Sequence, residues 1–154
     1  MLIDDLTLFK PIGRGAFAEV YLSVKNNSKV KLATKRINKR LSNPKYEKYL
    51  INVIRILKEL DHPNLIKLFE VKETANYLYL VTEYCNGGDL EYQFDEYLEK
   101  YDNPFKEEVV QHLMKQIVLG LQYLHKKKVI LLNLKLGNYF YILILKKKGK
   151  IKIR

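Results

Sequence analysis

Two glycines separated by one residue are the feature of this chain whose type and spacing first suggest chemistry. Gly13 and Gly15 open the stretch GRGAFAEV, and such a pattern lets backbone N–H groups come close to a phosphate. A dinucleotide-binding loop needs a helix directly after its glycines, so that the phosphate meets the helix N-terminus. Here Val20, Leu22 and Val24 alternate with other residues, which predicts a strand. The pattern therefore favours a glycine loop between two strands that covers phosphate groups.

Periodicity and turn residues predict the elements that would position this loop. The apolar alternation resumes at Val30 after the turn residues 25–28, and Pro44 suits the first turn of a helix. The predicted elements are strands within residues 7–38, a helix over 44–60, strands at 65–71 and 77–84, a short charged helix over 89–100 and a long helix over roughly 104–127.

The helix predicted over 104–127 has recognisable end signals and a broad apolar face. We expect Asn103 to cap it and Pro104 to occupy its first position. Glu107 and Glu108 favour the positive end of its dipole. We also expect part of its apolar stripe to face water, as an aggregation liability or as a surface for a partner.

The charge of the chain is unevenly distributed. The sequence has 154 residues, of which 47% are hydrophobic and 29% charged, as in a single globular domain. The net charge of the chain is +11. Most of this excess lies in residues 125–154, which contain ten of the 28 Lys and Arg and none of the 17 Asp and Glu. A basic run can meet nucleic acid or an anionic membrane, but a solvated face explains it more simply. No specific nucleic-acid partner is expected.

The sequence also bears on location. Residues 129–145 lie between two lysine triplets, but they are interrupted by polar residues, and a bilayer crossing needs about twenty mostly apolar residues. No membrane span is therefore expected. The single cysteine, Cys85, excludes an intramolecular disulfide and agrees with a reducing compartment, and residues 1–10 show no secretory signal. A cytoplasmic location is expected.

Five blocks in order carry a resemblance to a known family. After the glycine stretch, Lys35 ends LATK twenty residues beyond Gly15, and ILKELDHPNLIKLFEV, LYLVTEYCNGGDL and LMKQIVLGLQYLHKKKVI lead into LLNLKLGN. The chain resembles a eukaryotic protein kinase domain over essentially its whole length. Lys135 resembles the serine/threonine class, and the blocks look most like its autophagy-initiating or calcium-dependent branches. The resemblance implies an α+β fold with a small antiparallel-sheet N-lobe over about 7–84, bearing one long helix, and an incomplete, mostly helical C-lobe over about 85–154.

The family's nucleotide-binding roles carry over to matching residues of this chain. The implied set is Gly13, Gly15, Val20, Ala33, Lys35, Glu83, Cys85 and Asp89. Val20 and Ala33 would cover the adenine, and Lys35 would hold the α- and β-phosphates. Backbone groups from Glu83 to Cys85 would face the adenine edge, beside Thr82 at the back of the pocket.

The remaining implied roles concern ribose, metal and transfer. Asp89 would bind ribose hydroxyls, although it can also cap the helix that follows it. Lys135 would contact the γ-phosphate, and Asn138 would be a magnesium ligand. The implied cofactors are thus ATP and magnesium, and the implied partner is a protein substrate or a partner kinase.

Several departures from the family pattern predict weak catalysis. The catalytic aspartate position is occupied by Asn133, whose amide cannot take a proton near neutral pH. Loss of a positioned base typically removes about two to four orders of magnitude in rate. Leu131 and Leu132 replace the His and Arg that brace this loop, and Val53 replaces the helix glutamate that would pair with Lys35.

The sequence also ends at KIKIR, directly before the position of the metal-binding Asp-Phe-Gly segment. Three interpretations follow: a kinase-type domain that keeps an ATP pocket but is catalytically impaired, a non-catalytic interaction module, or an active kinase represented by a truncated gene model. An Asp-Phe-Gly reading frame directly downstream would favour the third.

Overall fold

The computed structural model describes residues 1–15, 18–26, 28–41, 43–131, 135–142 and 150–153. The chain divides into two compact units: a first unit of residues 1–60 and 67–84, and a second unit of residues 61–66 and 85–154. The described residues form three α-helices, a six-stranded antiparallel sheet in the first unit and a two-stranded sheet in the second. The predicted α+β class is confirmed.

The six-stranded sheet holds a cluster of buried side chains on one of its faces. Its strands are β1 (Leu2–Ile3), β2 (Leu6–Arg14), β3 (Ala18–Lys25), β4 (Lys31–Asn38), β5 (Leu68–Glu73) and β6 (Tyr77–Glu83). They lie in the order β1-β2-β3-β4-β6-β5. Because side chains alternate between the two faces of a strand, one face collects the core residues Ile3, Leu6, Leu8, Leu32, Tyr79 and Val81. The opposite face carries the buried side chains of Ile37 and Leu80 as well as Lys35.

Helix α1 (Pro44–Glu59) follows its end signals. The Asn43 side chain accepts a hydrogen bond from the Tyr46 N–H at 2.8 Å, and Pro44 begins the helix. This satisfies one of the N–H groups that a helix N-terminus leaves open. The helix predicted over 44–60 is therefore confirmed, and none of its residues is fully buried.

The second unit contains α2 (Leu90–Tyr101), α3 (Glu107–Lys126), β7 (Tyr139–Ile142) and β8 (Lys150–Ile153). The predicted start of α3 at Pro104 is wrong, because the helix begins three residues later without a side-chain cap. Asn103 instead donates its side-chain amide to the Tyr101 carbonyl at 3.2 Å. Phe105 packs with ring centroids 4.4 Å from Phe94 and 4.3 Å from Tyr97, so the expected first turn is used as a connection that covers α2.

The outer side of α3 agrees with the expectation of exposed apolar residues. Val109, Met114, Val118 and Leu119 of this helix are all more than one-third exposed.

Among the residues that the structure describes, no helix combines the length and the apolar character that a membrane crossing requires.

Residues 61–66 pack within the second unit, although both of their flanking segments belong to the first. The Ile66 N–H donates to the Ile153 carbonyl at 2.9 Å, and the Ile153 N–H donates to the Asn64 carbonyl at 2.8 Å. A Cβ on Gly120 of α3 would lie 2.6 Å from Ile153 Cδ1, so the helix approaches this segment closely. These contacts explain why β5 begins at Leu68 and not at the predicted residue 65.

Candidate functional site

The strand register of the first unit brings several of the predicted nucleotide-contacting residues together. Gly13 pairs with Val20, Val20 with Lys35, and Lys35 with Leu80. Directly opposed residues in antiparallel strands carry their side chains on the same face. Val20 and Lys35 therefore share a face, and Ala33 lies on it two residues before Lys35. This face is opposite to the one that holds the core cluster.

A second row of paired residues lies two positions along the same strands. Ala33 pairs with Thr82, and the Thr82 hydroxyl lies 3.2 Å from the Ala33 carbonyl, to which it donates. The Glu83 N–H donates to the Lys67 carbonyl at 3.1 Å, and its carboxylate accepts from the Lys67 N–H at 2.8 Å. Because its N–H is used inside the sheet, the backbone group that Glu83 could offer to an adenine is its carbonyl.

The two glycines before β3 have space around them. A Cβ on Gly13 would come no closer than 3.7 Å to Val20, and a Cβ on Gly15 no closer than 3.7 Å to the Ala18 carbonyl. Among the described glycines only Gly88 has a left-handed φ. Neither close packing nor backbone conformation within the described residues therefore explains why Gly13 and Gly15 lack side chains.

A carboxylate that the sequence reasoning missed lies beside the row of Val20 and Lys35. Glu19 accepts hydrogen bonds from the Tyr21 hydroxyl at 2.8 Å and from Arg36, and Arg14 Nη2 lies 3.3 Å from it. The hydrogen bonds from Tyr21 and Arg36 hold the pKa of the Glu19 carboxyl below its ordinary value. In the sequence, the alternation of β3 indicated only that Glu19 and Val20 lie on opposite faces of the strand. Arg14 and Arg36 lie opposite Glu19 because of the strand register, which local sequence patterns do not predict.

Position 53, which we predict to correspond to the glutamate that pairs with the lysine, lies on α1. Val53 is half-buried on the helix. An uncharged side chain there cannot form the ion pair with Lys35 that the resemblance implied.

Cys85 and Asp89 belong to the second unit. Cys85 is half-buried. Asp89 is the N-cap of α2, and its Oδ1 accepts from the Tyr92 N–H at 2.9 Å. The capping role is therefore confirmed, while the ribose-binding role of Asp89 stays a prediction.

The predicted catalytic segment is described only in part. Asn133 and Leu132 lie outside the described residues. Lys135 is exposed, and its carbonyl accepts from the Asn138 N–H at 3.0 Å across the 3-10 turn Leu136–Asn138.

One carboxylate approaches this turn. Glu91 Oε2 lies 2.8 Å from where a Cβ on Gly137 would be. The side-chain oxygen of Asn138 is a ligand type that magnesium accepts, but a single neutral amide would hold the metal weakly.

The chain belongs to the protein kinase family. The family model described as "Protein kinase domain" matches residues 6–154, which agrees with the small antiparallel sheet, its long helix and the helical second unit. The chain is 40% identical over 137 residues to serine/threonine-protein kinase ATG1a of Arabidopsis thaliana. It is 35% identical over 137 residues to serine/threonine-protein kinase PLK4 of Danio rerio. The matches cover 89% and 88% of this chain but only 21% and 14% of those two proteins.

Proposed function

We propose that this chain is a serine/threonine-kinase-type domain that binds ATP and transfers its phosphoryl group poorly or not at all. The observation that carries the binding claim is the space around Gly13 and Gly15. Glycine weakens a strand, because it loses more backbone freedom on folding than other residues do. Since the described fold does not require a glycine at either position, the close approach of a phosphate to the backbone is the better explanation.

The register of the sheet supports a matching place for the rest of the nucleotide. Val20 and Ala33 present small apolar side chains on the same face as Lys35. In this family such residues cover the adenine while the lysine holds the phosphates. A protein, either as phosphoryl acceptor or as partner kinase, is proposed as the second ligand on the strength of family membership.

The proposed loss of transfer rests on two residue identities. Asn133 stands where the family has its catalytic aspartate, and Val53 stands where it has the glutamate that orients the lysine. Phosphoryl transfer depends on positioning and on electrostatic stabilisation. Without the base or the orienting carboxylate, ATP can be held but is poorly activated.

The binding claim is tested by calorimetric titration of ATP into the wild type and into Gly13→Ala/Gly15→Ala. We expect the two methyl groups to weaken ATP binding at least tenfold, because they block backbone approach, while the melting temperature without ligand does not fall, because alanine is the better strand former. Val30→Ala is the matched control, since Val30 is 64% exposed and lies in the connection between β3 and β4, away from the glycines.

Three outcomes decide the proposal. No heat and no thermal stabilisation with millimolar ATP would remove the binding claim. Unchanged affinity in the double glycine variant would show that the glycines serve another purpose. A parallel titration with magnesium is expected to improve affinity only slightly, because Asn138 is a single neutral ligand, and a strong magnesium requirement would contradict that argument.

A further inference from the structure

The Glu19 carboxylate bridges two arginines that come from the strands on either side of β3. Arg14, the last residue of β2, and Arg36 of β4 are both register partners of Glu19. Arg14 Nη2 lies 3.3 Å from one carboxylate oxygen, and Arg36 Nη2 lies 2.5 Å from the other. The three side chains therefore link β2, β3 and β4 at a single level of the sheet.

The Arg36 end of this bridge is held in place. Its guanidinium lies over two rings, 5.0 Å from the Tyr21 centroid and 4.9 Å from the Tyr77 centroid. Only 21% of the Arg36 side chain is exposed. Stacking of this kind restrains a planar guanidinium, so Arg36 provides a fixed point for Glu19.

The Arg14 end is exposed by comparison and lies in the glycine stretch. The Arg14 side chain is 83% exposed, and the residue stands between Gly13 and Gly15. Beyond it, the Gly15 N–H donates to the Ala18 carbonyl at 2.8 Å. A contact that fixes the Arg14 side chain therefore also restrains the backbone of the two adjacent glycines.

The bridge is adjacent to the row that carries the predicted phosphate contacts. Arg14, Glu19 and Arg36 are each the chain neighbour of a residue in the row Gly13, Val20 and Lys35. Because neighbouring residues point to opposite faces, the bridge lies on the core side of the sheet and the lysine on the other. It can set the backbone positions without occupying the space in which a nucleotide would lie.

We propose that Glu19 is a positioning residue for the phosphates of the bound nucleotide. By holding Arg14 against the fixed Arg36, it keeps the backbone of Gly13 and Gly15 at a set distance from β4, the strand of Lys35. This role rests on the proposed ATP binding. Since an ion pair as exposed as that of Arg14 with Glu19 contributes modestly, the expected loss on breaking the bridge is about twofold to fivefold in ATP affinity.

The variant Glu19→Gln tests this role, because it keeps the shape and an oxygen acceptor while removing the charge. ATP, ADP and adenosine are titrated separately into each protein. ATP and ADP are expected to bind more weakly to Glu19→Gln, whereas adenosine, which has no phosphate to be positioned, binds as it does to the wild type. Glu73→Gln is the matched control, since Glu73 is also a glutamate of the first unit in an ion pair, with Lys39 at 2.6 Å.

A double-mutant cycle separates positioning from direct phosphate contact by Arg14. If Arg14 acts through Glu19, the losses in Arg14→Gln and Glu19→Gln are not additive in the double variant. Arg14→Gln also guards against misfolding of the other variant, since its side chain is mostly exposed. Additive losses would place Arg14 on the phosphate itself and overturn the bridge.

The remaining outcomes are equally decisive. Equal weakening of ATP and adenosine in Glu19→Gln would indicate general destabilisation and overturn the inference. If the wild type binds ATP and Glu19→Gln binds it equally well, the inference fails while the proposed function stands. If the wild type binds no nucleotide, both fail together.

Discussion

Gly120, within α3, is closely approached by other residues, unlike Gly13 and Gly15. A Cβ there would lie 2.6 Å from Ile153 Cδ1 and 3.4 Å from the Asn64 carbonyl oxygen. Alanine normally favours a helix over glycine by about 1 kcal/mol. Here overpacking, which typically costs about 1–3 kcal/mol, opposes that gain. We expect Gly120→Ala to lower the free energy of unfolding, measured by urea denaturation with circular dichroism.

A second substitution shows whether the steric contact is the cause. Ile153→Val removes the Cδ1 atom that the new methyl group would meet. The double variant Gly120→Ala/Ile153→Val should therefore be more stable than the sum of the two single losses predicts. Gly120→Ala equal to or more stable than the wild type would refute the close approach of α3 to Ile153.

Glu70 of β5 makes the free energy of unfolding depend on pH. Its carboxylate lies 2.7 Å from Lys25 Nζ and 3.0 Å from Lys72 Nζ. Hydrogen bonds from Lys25 and Lys72 lower the pKa of Glu70 below its ordinary value of 4.5. Its stabilising contribution is therefore complete above about pH 4.5 and is lost as the pH falls through the folded-state value.

The variant Glu70→Gln measures this contribution. It should unfold at a lower urea concentration than the wild type at pH 7, and the difference should shrink as the pH falls below 4.5 towards pH 3. Glu73→Gln, which removes the more exposed partner of Lys39, should differ little from the wild type at either pH. A difference in unfolding urea concentration between the wild type and Glu70→Gln that stays constant from pH 7 to pH 3 would contradict the assigned ion pairs.

At the scale of elements, the end of α3 carries a residue that does not suit its conformation. Lys128 has φ of 58°. Its N–H donates to the His125 carbonyl, and the Val129 N–H donates to the Leu124 carbonyl, each at 2.9 Å. This pair of bonds forms the helix ending in which glycine is usual at the left-handed position.

Lys128→Gly should therefore raise the free energy of unfolding by about 0.5–1 kcal/mol, because glycine adopts this conformation without strain. Lys126→Gly, two residues earlier in the last turn of the helix, loses the same charge and should destabilise by at most about 1 kcal/mol. Urea denaturation of the two variants side by side measures the contrast. Equal effects of both would show that the lysine charge, and not the backbone conformation, decides the outcome.

The elements also show which parts of the structure local sequence signals can predict. Asn43 and Pro44 predicted the start of α1 because a cap and a first-turn proline act within a few residues. Asn103 and Pro104 form a similar pair and misled, since Phe105 packs on α2 and draws the segment out of the helix. The Glu19 bridge and the Gly120 contact were missed for a related reason, because both depend on partners that lie far away in the sequence.

At the scale of the whole chain, family membership and the expected chemistry diverge. The chain is a protein kinase family member, yet Val53 and Asn133 occupy the positions at which we predict the family's paired glutamate and catalytic aspartate. We expect no detectable phosphoryl transfer from the wild type to a generic basic protein, measured with radiolabelled ATP.

Restoring either carboxylate alone, by Val53→Glu or Asn133→Asp, should also fail, since groups that act as a unit respond non-additively. Wild-type turnover that Lys35→Met abolishes would overturn this prediction.

The placement of residues 61–66 has a consequence for the order in which the chain can fold. All strands of the six-stranded sheet have been synthesised once residue 83 is complete. Residues 64–66, which emerge earlier, must wait for Ile153 before their backbone groups find their partners. Contacts between residues so distant in sequence form slowly, because the entropy cost of closing a long loop precedes the free energy that the contacts provide. The first unit is thus expected to acquire its structure on the ribosome while this short segment remains open to other chains or to a chaperone.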